Sequence, residues 1–295
     1  MRLTLDAAIF VLTSATMLVV GLELEIGKIP DLARRKLLLP GLVLSQMLLL
    51  PALGILVIRT VPMPETTKIV VLMLSACPIG NIANFFTLLS RGNLALSVSA
   101  SACSCLLAPI VIPLTFALYG QLLGGAFPFM VPSGTLLAKI FALTWAPIIL
   151  GIGLRSIRSN KVARFSLLLQ AACATGIVAL CVFICVTRAG QLTTDLKTNV
   201  TVSATLILAA LAGAAGISRV LRLATRDAVC YMTAFPARNI GVLAVITVTT
   251  LHRFDDLVFI LVYFVLETVV MLAVVVAYRW RSSLRALPPR AFGEA

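Results

Sequence analysis

Apolar residues along this chain fall into long blocks, and the charged residues gather in the short stretches between them. The blocks run roughly over 6–22, 37–58, 67–90, 94–119, 134–154, 164–187, 199–218, 227–250 and 256–279. About 20 apolar residues are needed to cross ~30 Å of hydrocarbon as an α-helix. An open sheet would leave backbone groups unpaired in lipid, and the ten-residue alternation of a membrane barrel is absent. The pattern therefore predicts an all-α integral membrane protein of nine transmembrane helices.

Charge tests that count. Nine spans put the two ends of the chain on opposite sides. With the N-terminus outside, the cytoplasmic stretches hold sixteen of the Lys and Arg residues: Lys28 and Arg34–Lys36, Arg91, Arg155–Arg164, Arg219–Arg226, and Arg279 onward into a short basic tail, 281–295. The outer stretches hold six, Arg2, Arg59, Lys68, Arg188, Lys197 and Arg253, and Lys139 and Arg238 fall within spans. This bias follows the positive-inside rule and predicts an N-out, C-in orientation, which an error of one helix would scramble. The first block follows Met1-Arg2 as a signal peptide would. It runs into Gly21-Leu22-Glu23-Leu24-Glu25 without a small-x-small cleavage pattern, so a retained helix is expected.

Composition agrees: 60% of the 295 residues are hydrophobic and 12% charged, against about 25% charged in soluble domains. The net charge of +13 does not indicate nucleic acid, because the basic residues flank apolar blocks. The seven cysteines all lie inside those blocks, and the single histidine, His252, is in a loop. Neither a disulfide framework nor a zinc site is expected. The expected location is the cell membrane, as a multi-pass protein embedded in the bilayer.

The third and eighth blocks are interrupted alike. One reads Cys77-Pro78-Ile79-Gly80-Asn81-Ile82-Ala83-Asn84, the other Phe235-Pro236-Ala237-Arg238-Asn239-Ile240-Gly241. Proline removes an amide hydrogen and clashes with the preceding turn. Backbone groups freed at bilayer depth persist only where they line a cavity or bind something. Paired interruptions in corresponding places of two halves point to a transporter's binding site. The spans five apart run in opposite directions, as inverted repeats of roughly 1–120 (four helices) and 134–280 (five helices) require. Two ordinary proline kinks would leave the recurring asparagines unexplained.

Polar groups cluster around these breaks. Asn81, Asn84 and Asn239 carry amides that can complete the coordination of an alkali cation or hydrogen-bond a carboxylate. Ser97, Ser101 and Ser104 share one helical face, a stripe compatible with ion binding or with close helix packing. Arg238 and Glu267 are the two ionisable residues deep in the bilayer, and intramembrane charge marks candidate function. They are expected either to pair or to leave Arg238 facing an anionic substrate.

Several segments together resemble the bile acid:sodium symporter family. They are Thr16-Met17-Leu18-Val19-Val20-Gly21-Leu22-Glu23-Leu24, Gln46 followed by Pro51, Cys77-Pro78-x-Gly80…Asn84, Gly92-Asn93-x-Ala95-Leu96-Ser97, and Leu106-Leu107-Ala108-Pro109 with Pro113. The resemblance is specific around 77–113 and weak after 120. It implies a core bundle and a panel bundle, with two discontinuous helices crossing near the substrate and sodium sites. Many members have ten spans as two repeats of five, and nine here would lack the first. It further implies a first sodium site from Ala83, Asn84, Ser97 and Ser101, and a second from Gln46 and the eighth span. This chain departs from the family pattern twice. Ala83 replaces a serine, and the family's Glu-x-Gly-x-Gln-Asn is Ala234-Phe235-Pro236-Ala237-Arg238-Asn239, which loses a shared carboxylate and gains a guanidinium.

The function expected is secondary transport of a small organic anion, with sodium, if any ion, as the coupling partner and no other cofactor. Sodium coupling is expected to be weakened or absent, with Arg238 as a built-in cation and Glu267 available for protons. A related metalloid or organic-acid permease is the alternative, kept open by Cys77, and a non-transport receptor is the less favoured one. No enzyme chemistry is expected: Asp255-Asp256 is the sole acidic pair resembling a prenyl-transfer motif, and no histidine faces the serines.

Overall fold

The computed structural model describes residues 2–24, 27, 38–123, 134–157 and 160–286. The expected basic clusters at Lys28 and Arg34–Lys36, Arg158, the stretch between the two proposed halves, and the tail from 287 onward lie outside the described residues.

The described residues form eleven α-helices and no strand longer than one isolated bridge. In order they are α1 Arg2–Glu23, α2 Leu38–Thr60, α3 Glu65–Ala76, α4 Ile82–Leu89, α5 Leu94–Leu123, α6 Gly134–Ser156, α7 Asn160–Thr187, α8 Ala189–Val220, α9 Thr225–Ala234, α10 Ile240–Val245 and α11 Asp256–Ala286. Helix follows the apolar blocks closely, and six helices are long and apolar enough to cross a bilayer: α1, α2, α5, α7, α8 and α11. The third and eighth blocks each divide into two shorter helices, α3 with α4 and α9 with α10, around the two proline-asparagine motifs. A π-helical turn, Ile246–Thr250, continues α10.

Two boundaries differ from the hydropathy reading. α8 begins at Ala189, ten residues before its apolar block, and only Arg188 separates it from α7. Residues 189–198 are helical because Leu192 packs onto the buried core while Thr194, Asp195 and Lys197 face outward. α11 likewise runs on to Ala286, into the stretch expected to be tail.

α1 lies against α6 and α7. Its contact with α6 is backbone to backbone. A Cβ on Gly21 would strike the Ile148 carbonyl, and one on Gly151 would come within 2.5 Å of the Leu18 oxygen. Small residues permit such approaches where lipid supplies no hydrophobic drive between helices. The remaining helices pack around the two broken pairs: α2 against α3, α5 and α8, α9 against α4 and α8, and α11 against α8.

Candidate ion and substrate site

The two breaks meet. Cys77 precedes a proline, which disfavours the helical region, and it ends α3 in an extended conformation. The chain then runs antiparallel to the second break, with Ile79 paired to Arg238. Gly80 N donates to the Ala237 carbonyl at 2.9 Å, and Asn239 N donates to the Pro78 carbonyl at 2.9 Å. Each break thus satisfies backbone groups that the other has freed, as apolar surroundings require. Glycine at 80 is obligatory for this approach, since a Cβ there would lie 2.5 Å from the Arg238 oxygen.

Side chains satisfy the rest. Ile79 N donates to Ser104 Oγ at 3.1 Å, and Ser104 donates on to the Ser101 carbonyl. The Pro236 carbonyl accepts from the Tyr263 hydroxyl at 2.6 Å. Asn239 caps α10, its side-chain oxygen accepting from Val242 N at 3.1 Å, while its amide nitrogen faces the sulfurs of Met17 and Cys105 at 3.9 Å. Asn239 therefore serves the break's backbone, and its oxygen is not turned to the Asn84 cluster.

Arg238 is 2% exposed. Its guanidinium donates from Nη2 to the Ala234 carbonyl at 2.6 Å and from Nη1 to the Cys77 carbonyl at 3.1 Å. Gln46 Nε2 reaches the same Cys77 carbonyl at 3.4 Å. The guanidinium thus lies between carbonyls of the two breaks, as a bound cation would. Glu267 on α11 is fully buried, and neither of its oxygens has a hydrogen-bond partner among the described residues. Arg238 is within electrostatic reach of it, but its two terminal nitrogens turn to the carbonyls and its Nε has no hydrogen-bond partner among the described residues, so the direct Arg238–Glu267 pair is not formed.

Asn84, on α4, gathers a second cluster. Its Oδ1 accepts from Ser97 Oγ at 2.8 Å, and its Nδ2 donates to Ser101 Oγ at 3.3 Å, which lies 3.5 Å from Oδ1 and donates to the Val98 carbonyl at 3.0 Å; all three residues are buried. These are neutral, hard oxygen donors of the kind alkali cations prefer. Thr87 extends the cluster, donating to Ser97 at 3.2 Å and sharing a 2.6 Å hydrogen bond with Thr233 of α9. The serine stripe thus divides its work: Ser97 and Ser101 face Asn84, and Ser104 faces the first break. Asn81 stands apart, its Nδ2 bound to the Thr16 carbonyl of α1 at 2.8 Å.

A cavity of about 950 Å³ opens between α1, α7 and the crossing, reached by Asn81, Asn84, Arg238 and Asn239 and otherwise walled mostly by apolar side chains. It has the size and lining of a small-molecule site. Cys77 does not line it and is buried in the core. Among the polar residues that the hydropathy pattern does not single out, Glu23, Arg155 and Gln170 also line it. Glu23 accepts from Asn84 Nδ2 at 3.2 Å and from Gln170 Nε2 at 3.1 Å. Arg155 donates to the Leu22 carbonyl. Glu23 ends an apolar block, where a charge reads as the edge of a span, and its one distinguishing signal is its place beside Gly21 in the Met/Gly-rich segment.

Comparison with known proteins bears on the Asn84 cluster most directly. A Bacillus subtilis (strain 168) protein named as an uncharacterized sodium-dependent transporter, YocS, is 29% identical over 160 residues, which are 54% of this chain and 48% of that protein. Human sodium/bile acid cotransporter 4 is 30% identical over 48% of this chain and 32% of its own length. A rice chloroplastic protein named as a probable sodium/metabolite cotransporter, BASS1, is 30% identical over 57% of this chain and 40% of its own. The matched stretches thus span about half of these relatives or less. The Sodium Bile acid symporter family matches residues 10–196, a stretch that holds Gln46, the first break and the serine helix but ends before Arg238. Since that match covers more than half of the chain, the protein belongs to the Sodium Bile acid symporter family.

Proposed function

We propose that this protein is a secondary transporter of a small organic anion, set in the cell membrane as nine spans of two inverted repeats, N-out and C-in, and driven by no more than one sodium ion per cycle. The observation that carries this reading is the clamp of the Arg238 guanidinium between the Cys77 and Ala234 carbonyls. A cation that is part of the chain satisfies those carbonyls in every state and cannot be exchanged across the membrane. It contributes nothing from an ion gradient. Sodium entering beside it would meet a like charge in a medium of low dielectric, where repulsion is strong. The second ion position of the family is then permanently filled, and the cluster at Asn84, Ser97 and Ser101 remains for a mobile ion.

The cavity is the place for the substrate. Its walls suit an apolar body, and Arg155 brings a positive charge to its lining for an anionic head. The names of the relatives, sodium-dependent and sodium/metabolite transporters, support a sodium-linked small-molecule carrier. A role for Cys77 in binding a metalloid loses its support, because the thiol is sealed in the core.

The test is sodium activation of uptake in proteoliposomes, for wild type and for the double variant Ala234→Glu with Arg238→Gln. Wild type is expected to show a hyperbolic sodium dependence or none. The double variant, with the guanidinium gone and a carboxylate in its neighbourhood, is expected to become steeper in sodium. A sigmoidal dependence in wild type with a Hill coefficient near two would overturn the reading.

A further inference from the structure

We infer that Glu23 supplies the negative charge of a monovalent-cation site whose ligand oxygens are Asn84 Oδ1, Ser97 Oγ and Ser101 Oγ, and that it also sets the orientation of the Asn84 amide. The inference rests on the reading of Asn84, Ser97 and Ser101 as a cation cradle, and it adds the counter-charge.

Three neutral oxygens carry no net charge to offset an ion's desolvation inside a bilayer protein. A cradle of this kind needs a carboxylate within a few ångströms. Ala234 cannot supply one, and Glu267 makes no contact with the cluster. Glu23 does make contact: its Oε2 accepts from Asn84 Nδ2 at 3.2 Å. An amide whose nitrogen is held by a carboxylate presents its oxygen the other way, and Asn84 Oδ1 accordingly accepts from Ser97 at 2.8 Å, while Ser101 Oγ lies beside the amide, accepting from Nδ2 at 3.3 Å and standing 3.5 Å from Oδ1. Glu23 is half-buried and lines the cavity together with Asn84, so an ion has a route to the pair.

The charge comes from a different part of the fold than the ligands. Glu23 ends α1, which is packed on α6 and α7, and its other oxygen accepts from Gln170 of α7 at 3.1 Å. Asn84 and the serines belong to α4 and α5. An ion held between them ties the two groups of helices together, so its arrival favours the conformation in which they meet. Arg155 of α6 is within electrostatic reach of Glu23 and offsets part of its field. Removing Arg155 is therefore expected to strengthen cation binding.

The experiment is thermal unfolding of the purified full-length protein in sodium chloride, titrated against choline chloride at constant ionic strength. A ligand bound only by the folded state raises stability as its concentration passes Kd. Wild type is expected to gain a sodium-dependent rise in its midpoint, and Ser97→Ala with Ser101→Ala to lose it. Glu23→Gln, which can still accept from Asn84 but carries no charge, is expected to shift the half-maximal sodium concentration upward roughly 10- to 100-fold, as loss of an orienting partner does at metal sites. Glu23→Asp should shift it less, and Arg155→Gln should shift it downward. A wild-type sodium response in Glu23→Gln, with the double serine variant silent, would overturn the role of Glu23 and leave the cradle standing. No sodium response in wild type, or one that survives the serine substitutions, would overturn the cradle and the inference with it. If Glu23→Gln does not fold, Glu23→Asp and Arg155→Gln decide: opposite shifts support the inference, and no shift in either overturns it.

Discussion

Gly80→Ala is the smallest change that tests whether the crossing of the two breaks holds the fold together. The added methyl would sit 2.5 Å from the Arg238 carbonyl oxygen and 2.9 Å from its carbon, whereas ordinary contact begins at 3.4 Å. Both obstacles are backbone, so no rotamer change relieves them, and the breaks must separate by close to the difference, about 1 Å. The hydrogen bonds Gly80 N to Ala237 O and Asn239 N to Pro78 O, now 2.9 Å each, would stretch past the distance at which such bonds persist. Two buried hydrogen bonds at about 1 kcal/mol each, with the donors and acceptors left unpaired in an apolar setting, amount to roughly 2–4 kcal/mol. The Arg238 clamp spans the same gap and would open with it. The expected result is a lowered thermal midpoint in detergent together with loss of uptake in proteoliposomes. Gly153→Ala is the control, since nothing lies within 4 Å of its added carbon and alanine favours the helix by about 1 kcal/mol. If Gly80→Ala unfolds at the wild-type temperature and still transports, the close approach is not the structural keystone argued here.

Three further substitutions probe neighbouring contacts. Ser104→Ala leaves Ile79 N without its acceptor and is expected to cost about 1–3 kcal/mol in the same unfolding assay; a neutral result would mean that the first break finds another acceptor. Thr87→Val and Thr233→Val, singly and together, should show a coupling of roughly 0.5–2 kcal/mol in a double-mutant cycle, because the 2.6 Å bond between them joins α4 to α9; strict additivity would dismiss that link. Glu267→Gln loses no hydrogen bond and is expected to stay within about 1 kcal/mol of wild type, whereas Glu267→Ala opens a cavity at a cost of roughly 2–5 kcal/mol; equal losses in unfolding would show that the carboxylate itself is bound.

Helix positions were legible in the sequence because a bilayer imposes one length and one composition on whatever crosses it. The breaks were legible for a narrower reason. Pro51, Pro109, Pro113 and Pro147 all lie inside unbroken helices, so proline alone does not mark an interruption. At 78 and 236 the proline is followed by Gly80 or by the capping Asn239, residues that allow close approach and restart a helix. Asn84, Ser97 and Ser101 could be grouped from spacing and family resemblance, and the structure brings them together. The acceptors of Arg238 could not be foreseen, because they are backbone carbonyls and any residue carries one. The expected pairing with Glu267 followed from charge alone and lost to geometry, since both terminal nitrogens of the guanidinium turn to backbone carbonyls and its Nε does not reach the carboxylate. Glu23 was not legible because a carboxylate at the edge of an apolar block resembles every other boundary charge, and only its hydrogen bonds with Asn84 of α4 and Gln170 of α7 distinguish it.

The two breaks of this protein are unequal, and the inequality bears on how it would work. In a carrier that depends on mobile ions at both breaks, the empty state exposes freed carbonyls at bilayer depth, and ion loading relieves them. Here the second break relieves its own carbonyl at Ala234 and that of Cys77 through Arg238, whether or not anything else is bound. On the proposed reading, that lowers the cost of the unloaded crossing and removes one source of coupling. The Asn84 cluster has no such internal cation. Its oxygens are held in place by hydrogen bonds among Asn84, Ser97 and Ser101, which on the proposed reading a monovalent ion replaces, with the carboxylate supplied by Glu23 of α1. On the proposed reading, the energetics of transport therefore concentrate at a single position, the junction of α1 with α4 and α5, and substitutions there should alter ion dependence while substitutions at Arg238 should alter the number of ions.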